Sequence, residues 1–217
     1  MLTIVVIAKE CVAGRVKTRL HPPLSLEQAA EVAAASLADT LTLVSSLPAT
    51  RRVIAFGGSL LPPEAKGFEI VQQVEGDLDV RLGAVFDEID GPMLLIGMDT
   101  PQLTRAHVDA VLEAWGPDDG SATAPDAFFG PASDGGWWGL AMREPIGDVL
   151  RGVPMSRDDT GALQLASLSA AGLTVGFLPE VNDVDTYHDA LEVAALAPST
   201  RFARTVAALA VPAFASH

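Results

Sequence analysis

The chain holds one cysteine, Cys11, in 217 residues, so an intrachain disulfide is excluded and with it any fold that depends on one. Positive charge is also scarce: 14 Lys and Arg face 28 Asp and Glu, a formal net charge of −14. That balance repels polyanions and excludes general nucleic-acid binding without a strongly segregated basic face. The four histidines lack metal-ligand spacing, which together with the lone cysteine argues against a zinc site. There is no Gly-x-Ser-x-Gly elbow and no Walker-type Gly-x-x-x-x-Gly-Lys-Ser/Thr loop. No apolar run reaches the roughly 20 residues of a membrane span. Residues 2–8 are apolar but end at Lys9 and Glu10, and no basic segment precedes them as one would in a signal peptide. The expected location is cytoplasmic.

What the chain does have is core material, with 49% hydrophobic residues, enough for one large domain over residues 1–217. Strand-like and helix-like patterns alternate, which predicts an α/β fold with a mostly parallel sheet flanked by helices. Residues 2–8 read as a strand buried on both faces. Ser25 followed by Gln28 gives a capping-box start to a helix reaching about Leu47. Strands are expected at 52–56, 68–71, 93–97 and 174–178, and helices at 77–89, around 108–115, from 159 or 160 to 171, and from 185 or 186 to 196. Between Ser121 and Met142 short pieces rich in Gly and Pro suggest small antiparallel additions to the sheet. Residues 197–217 form a C-terminal helical extension, whose amphipathic stretch 199–210 is a packed helix or a homodimer contact.

Four of the 14 cations, Lys9, Arg15, Lys17 and Arg19, fall within eleven residues, where an even spread would place fewer than one. They lie after the first strand, a common phosphate site in open α/β sheets. Gly14 lets the backbone approach an anion, and Lys17 and Arg19 neutralise phosphate charge. Asp99 stands where the 93–97 strand ends, a position suited to Mg2+ or Mn2+ with phosphate oxygens completing the shell. Asp183 and Asp185 form a second acidic turn after a predicted strand. In Asp134-Gly135-Gly136-Trp137-Trp138 the glycines permit close ligand approach and the tryptophans offer an apolar platform for an acceptor, one of the two facing the core by strand alternation. Asp77 with Arg81, and the run from Ser156 to Thr160, are weaker candidates. A solvated loop, a turn or a helix cap remains the structural alternative for each.

In this order the blocks Gly14-Arg15-Val16-Lys17-Thr18-Arg19-Leu20, Gly76-Asp77-Leu78 with Arg81, Gly97-Met98-Asp99-Thr100-Pro101, Gly130-Pro131-Ala132-Ser133-Asp134-Gly135-Gly136 and Asp183-Val184-Asp185-Thr186 resemble the GT-A-like glycosyltransferases of the arsenosugar-biosynthesis type. The resemblance spans residue 1 to about 195. It departs from the family at Glu10 to Ala13, where prolines are usual, and at Trp137 and Trp138, where Tyr is usual. It implies a Rossmann-like nucleotide-diphospho-sugar transferase fold, with Lys17 and Arg19 at the nucleotide and Asp99 with Asp185 near a metal. The expected function is metal-dependent transfer of a sugar from a nucleotide sugar to a small acceptor. Lys9, Gly14, Arg15, Lys17, Arg19, Asp77 and Arg81 would bind the nucleotide, and Asp99, Asp183 and Asp185 the Mg2+ or Mn2+. Gly135, Gly136 and Trp137 would meet the acceptor. Asp99 and Asp134 are the catalytic candidates, Asp134 taking the acceptor proton if the reaction inverts the anomeric centre. The alternatives are a nucleotidyltransferase using a nucleoside triphosphate, which shares a comparable Lys-Thr-Arg-Leu in the phospholactate guanylyltransferases, and a nucleotide-binding module without turnover.

Overall fold

The computed structural model describes residues 2–115 and 124–209. The start of the segment expected to carry antiparallel additions and the end of the expected C-terminal extension, residues 210–217, lie outside them. Seven strands, β1 (Thr3–Lys9), β2 (Arg51–Gly57), β3 (Glu69–Gln72), β4 (Met93–Gly97), β5 (Ala127–Pro131), β6 (Trp137–Met142) and β7 (Val175–Phe177), form one sheet in the order β3-β2-β1-β4-β6-β5-β7. Among the described residues six α-helices accompany it: α1 (Leu26–Ser46), α2 (Leu78–Glu88), α3 (Asp109–Trp115), α4 (Thr160–Ala170), α5 (Tyr187–Leu196) and α6 (Arg201–Leu209).

Period-two alternation in β1 sorts its side chains between two cores. Ile4 and Val6 join Leu37 and Leu41 of α1 and Val111 and Trp115 of α3. Val5 joins Leu82 and Phe86 of α2 and Leu168 of α4 on the opposite face. Burial on both sides is why β1 and β4 are almost continuously apolar. Helix α1 is itself covered twice: Ala29, Val32 and Ala35 meet Val193 of α5 and Phe202 and Val206 of α6. The capping box at Ser25 and Gln28 is present. Asp39 of α1 accepts the backbone N–H groups of Arg201 and Phe202, so α6 starts against α1 as a packed helix.

All pairings are parallel except those of β6, which runs against both β4 and β5. The antiparallel addition is thus one strand, since β5 runs with the others and pairs in parallel with β7. Every strand but β6 therefore points its carboxyl end at one edge of the sheet, and the loops after β1, β4, β5 and β7 emerge there together.

Candidate functional site

The loop after β1 is anchored by two buried apolar residues, Val16 against Ala30 and Ala33 of α1 and Leu20 in the outer core. Between them Lys17 adopts a left-handed conformation (φ 45°, ψ 38°), unusual for a residue with a side chain. That backbone turns the Lys17 side chain inward until it is 8% exposed. Its Nζ lies 2.8 Å from Asp99 Oδ2 and 3.3 Å from Asp185 Oδ1. Arg19 Nη1 lies 2.6 Å from Asp185 Oδ2, with its own side chain 68% exposed. Burial works against the Lys17 charge, but Asp99 first, and then Asp185 and Asp183, outweigh it and hold the ammonium above the ordinary lysine range.

The two acidic turns are joined through the backbone, because Val184 N–H donates to the Asp99 carbonyl at 3.1 Å. A parallel bridge between Ala132, the residue after β5, and Val181, four residues past β7, continues the contact between the two chain segments beyond the ladder. Ser133 N–H donates to Val181 O at 3.1 Å and Ser133 Oγ to Asn182 Oδ1 at 2.8 Å, which brings the Asp134 turn beside Asp183. Carboxylate oxygens of Asp134, Asp183 and Asp185 consequently lie within 4.8 Å of one another. Asp134 Oδ1 accepts from Gly136 N–H at 2.8 Å. Asp183 Oδ1 is buried without a hydrogen-bond partner. Burial, and next the charges of Asp134 and Asp185, push the Asp183 carboxyl up to about 6 against the pull of Lys17.

These groups line a cleft of about 740 Å³, within the size range of small-molecule sites. Lys9, Lys17, Arg19, Arg81, Asp99, Asp134, Gly136, Trp137, Asp183 and Asp185 all reach it. Gly14 and Arg15 sit in the exposed part of the loop, off the cleft wall, and Asp77 stands at the N-terminal cap of α2 rather than on that wall. Gly135 has a packing role: with φ +87°, a Cβ there would come 1.9 Å from the Asp158 carbonyl oxygen at the approach to α4. Trp138 is buried and donates to Pro179 O at 3.0 Å, while Trp137 is half-buried on the opposite face. Of the Ser156–Thr160 run, Arg157 is held by Asp159, whose carboxylate it takes at 2.8 Å, leaving α4 without a side-chain cap.

One participant had no sequence signal. Gln73, just beyond β3, donates through Nε2 to both Ala8 O and Ala55 O at 2.8 Å and accepts from Arg81 Nη1 at 3.1 Å. It pins together the ends of β1 and β2 and holds Arg81 on the cleft wall, where Arg81 Nε is buried without a partner.

The model of a family described as "Uncharacterized protein conserved in bacteria (DUF2064)" matches residues 29–157. Among solved structures, the chain is 26% identical to a Desulfovibrio desulfuricans G20 protein provisionally described as a nucleotide-diphospho-sugar transferase, with a TM-score of 0.78 over 95% of this chain and 92% of that one. A cytidylyltransferase from Leptospira borgpetersenii serovar Hardjo-bovis superposes with a TM-score of 0.55 at 11% identity, over 95% and 92% of the two chains. The CMP:2-keto-3-deoxy-manno-octonic acid synthetase complexed with CTP gives 0.52 at 13%, over 90% and 97%. The last two share the fold alone. No curated protein matches the chain. The fold is that of the nucleotide-diphospho-sugar transferases, and among the described residues no helix is long and apolar enough to cross a membrane.

Proposed function

This chain belongs to the bacterial DUF2064 family, and from that premise we propose that it transfers a sugar from a nucleotide-diphosphate donor to a small acceptor in the cleft at the carboxyl edge of its sheet. One observation carries the reading: Lys17 and Arg19 converge with Asp99 and Asp185 in a cleft where Asp185 also lies within 4.8 Å of two further carboxylates, Asp134 and Asp183. Such a set suits a diphosphate accompanied by a hard divalent ion.

The residues present fit Mg2+ or Mn2+, since the donors are all carboxylate oxygens and Asp183 Oδ1 has no other partner. Asp134, Asp183 and Asp185 would hold the ion, which when bound would neutralise charge on the departing diphosphate. Lys17 and Arg19 stabilise the same charge from the side of the first loop, the largest contribution that fixed protein charges make in such transfers. Asp99, expected from the sequence as a metal ligand, is given a different role here, because it lies outside the three-carboxylate group and its Oδ2 is 2.8 Å from Lys17 Nζ: it acts through Lys17, fixing the ammonium at the sheet edge. Trp137 supplies an apolar wall for the sugar or the acceptor. Asp134 is given to the ion on proximity; accepting the acceptor proton would need it free, and the stereochemistry of the product separates the two roles.

Nucleotidyl transfer is the second reading, supported by the fold shared with a cytidylyltransferase and a CMP-sugar synthetase; the Lys17-Thr18-Arg19-Leu20 run, comparable to one in phospholactate guanylyltransferases, does not separate the two. A thermal-shift screen of nucleotide sugars and nucleoside triphosphates, with and without Mn2+, tests both, because a ligand of the native state raises the melting temperature. Release of a nucleoside diphosphate from the donor so found supports sugar transfer, and release of pyrophosphate from a triphosphate supports the second reading. If no compound of either class shifts the transition or is consumed, neither stands.

A further inference from the structure

We infer that Arg81, positioned by Gln73, reads the nucleobase of the donor and selects one that carries an exocyclic oxygen, guanine above all, over one that carries an amine at the same ring position. The inference rests on the function proposed above and specifies the base of its donor.

The order of the sheet sets which way the donor lies. Lys17 and Asp99 follow β1 and β4, which are neighbours, so the diphosphate belongs over that pair. Trp137 opens β6 and Asp134 lies in the turn between β5 and β6, both to one side of it. With sugar and acceptor there, the nucleoside extends the other way, over β2 and β3. At that end Gln73 follows β3, Arg81 projects from the first turn of α2, and half-buried Leu78 offers the base an apolar contact; all three line the cleft.

Hydrogen bonding at this end is lopsided. The carbonyl oxygens where β1 and β2 finish already accept: Ala8 O and Ala55 O from Gln73 Nε2 at 2.8 Å each, Phe56 O from Gln73 N–H at 3.2 Å, and Gly57 O from Glu10 N–H at 2.9 Å. Gln73 Oε1 takes Arg81 Nη1 at 3.1 Å. Donors, by contrast, are left over. Arg81 Nε is buried without a partner, and among the described residues neither Arg81 nor Lys9, which also lines the cleft, is paired with an acid. A base that meets such a wall must present acceptors. Guanine offers O6 and N7 side by side, matching the planar fork of a guanidinium, whereas adenine sets an N6 amine where O6 would be; uracil and cytosine differ in the same way at position 4. An amine there faces other donors and gives up its bond to water without replacement.

Calorimetry of nucleoside diphosphates in the presence of Mn2+ tests this on the unaltered protein. GDP should bind about tenfold more tightly than ADP, a typical margin for one well-placed bidentate contact, and UDP should bind more tightly than CDP. IDP keeps O6 and N7 but lacks the 2-amino group, and it should match GDP. Arg81→Met removes the donors at similar length, so the preference for GDP over ADP should vanish while inorganic pyrophosphate with Mn2+ binds as it does to the unaltered protein. ADP that binds as tightly as GDP, or IDP that binds as weakly as ADP, overturns the inference and leaves the proposed function standing. So does a folded Arg81→Met protein that keeps the preference, or one that loses pyrophosphate and GDP affinity in parallel, since Arg81 would then be a phosphate contact. Should that variant fail to fold, the comparison of nucleotides on the unaltered protein decides alone. A protein that binds none of these nucleotides and no pyrophosphate with Mn2+ overturns the proposed function and the inference with it.

Discussion

Asp183 is the residue whose surroundings suit its charge least. Burial, followed by repulsion from Asp134 and Asp185, raises its carboxyl from 3.8 to about 6, and its Oδ1 has no hydrogen-bond partner. Between those two pH values the folded chain binds a proton that the unfolded chain does not. The stability tied to that proton is therefore fully present below pH 3.8 and is lost as the pH rises through about 6. Asp183→Asn keeps the shape without the charge. In chelated buffer the variant should melt a few degrees above the unaltered protein at pH 7.5 and level with it near pH 4, on the order of 1 kcal/mol being worth about 2–4 °C in a domain of this size. The same substitution should abolish the stabilisation by Mn2+ that the proposed function requires. Scanning calorimetry across pH checks both, and equal melting temperatures at pH 7.5 would show that the carboxylate carries no strain to relieve.

At the scale of elements, the site depends on how the turn after β5 sits against the approach to α4. Gly161 N–H donates to Gly135 O at 2.8 Å, and a Cβ on Gly135 would lie 1.9 Å from Asp158 O. Gly91 offers a control, because its φ of +76° is also left-handed but nothing lies within 4 Å of its Cβ position. Gly91→Ala should cost about 1–2 kcal/mol from backbone conformation alone. Gly135→Ala should cost at least about 2 kcal/mol more, because the turn or the start of α4 must shift, and should weaken Mn2+ binding through Asp134. Urea titrations of both variants measure the difference. The elements themselves were largely legible: β1, β4 and α1 announce themselves by apolar runs and a capping box, and the rule that ligands gather at strand carboxyl ends brought Lys17, Asp99 and Asp185 to one place. An antiparallel addition was legible too, in the Gly- and Pro-rich pieces before Met142, but which piece runs against the others was not, since side-chain alternation carries no strand direction. Nor was the approach of Asp134 to Asp183, which depends on the Ala132–Val181 bridge, or the work of Gln73, a single polar residue in no periodic pattern.

The whole molecule sets a condition that its cleft must overcome. With a formal net charge of −14, the protein's far field opposes the approach of any polyphosphate, while Lys17, Arg19, Arg81 and Lys9 attract it only at close range, two of them already paired with Asp185. Screening separates these contributions by distance: the Debye length falls from about 30 Å at 0.01 M salt to about 8 Å at 0.15 M, so added salt silences the remote charges before it touches contacts of a few ångströms. Association of a ribose-labelled nucleoside diphosphate with the Mn2+-loaded protein, followed by stopped flow, should accelerate severalfold across that range. Substituting Arg19 by Ala should leave this rise in place, because it belongs to the overall charge and not to one contact. A rate that falls steadily with salt would mean that the cationic loop, not the net charge, governs the field over the cleft, and that a ligand is drawn in from a distance by Lys9, Arg15, Lys17 and Arg19 acting together.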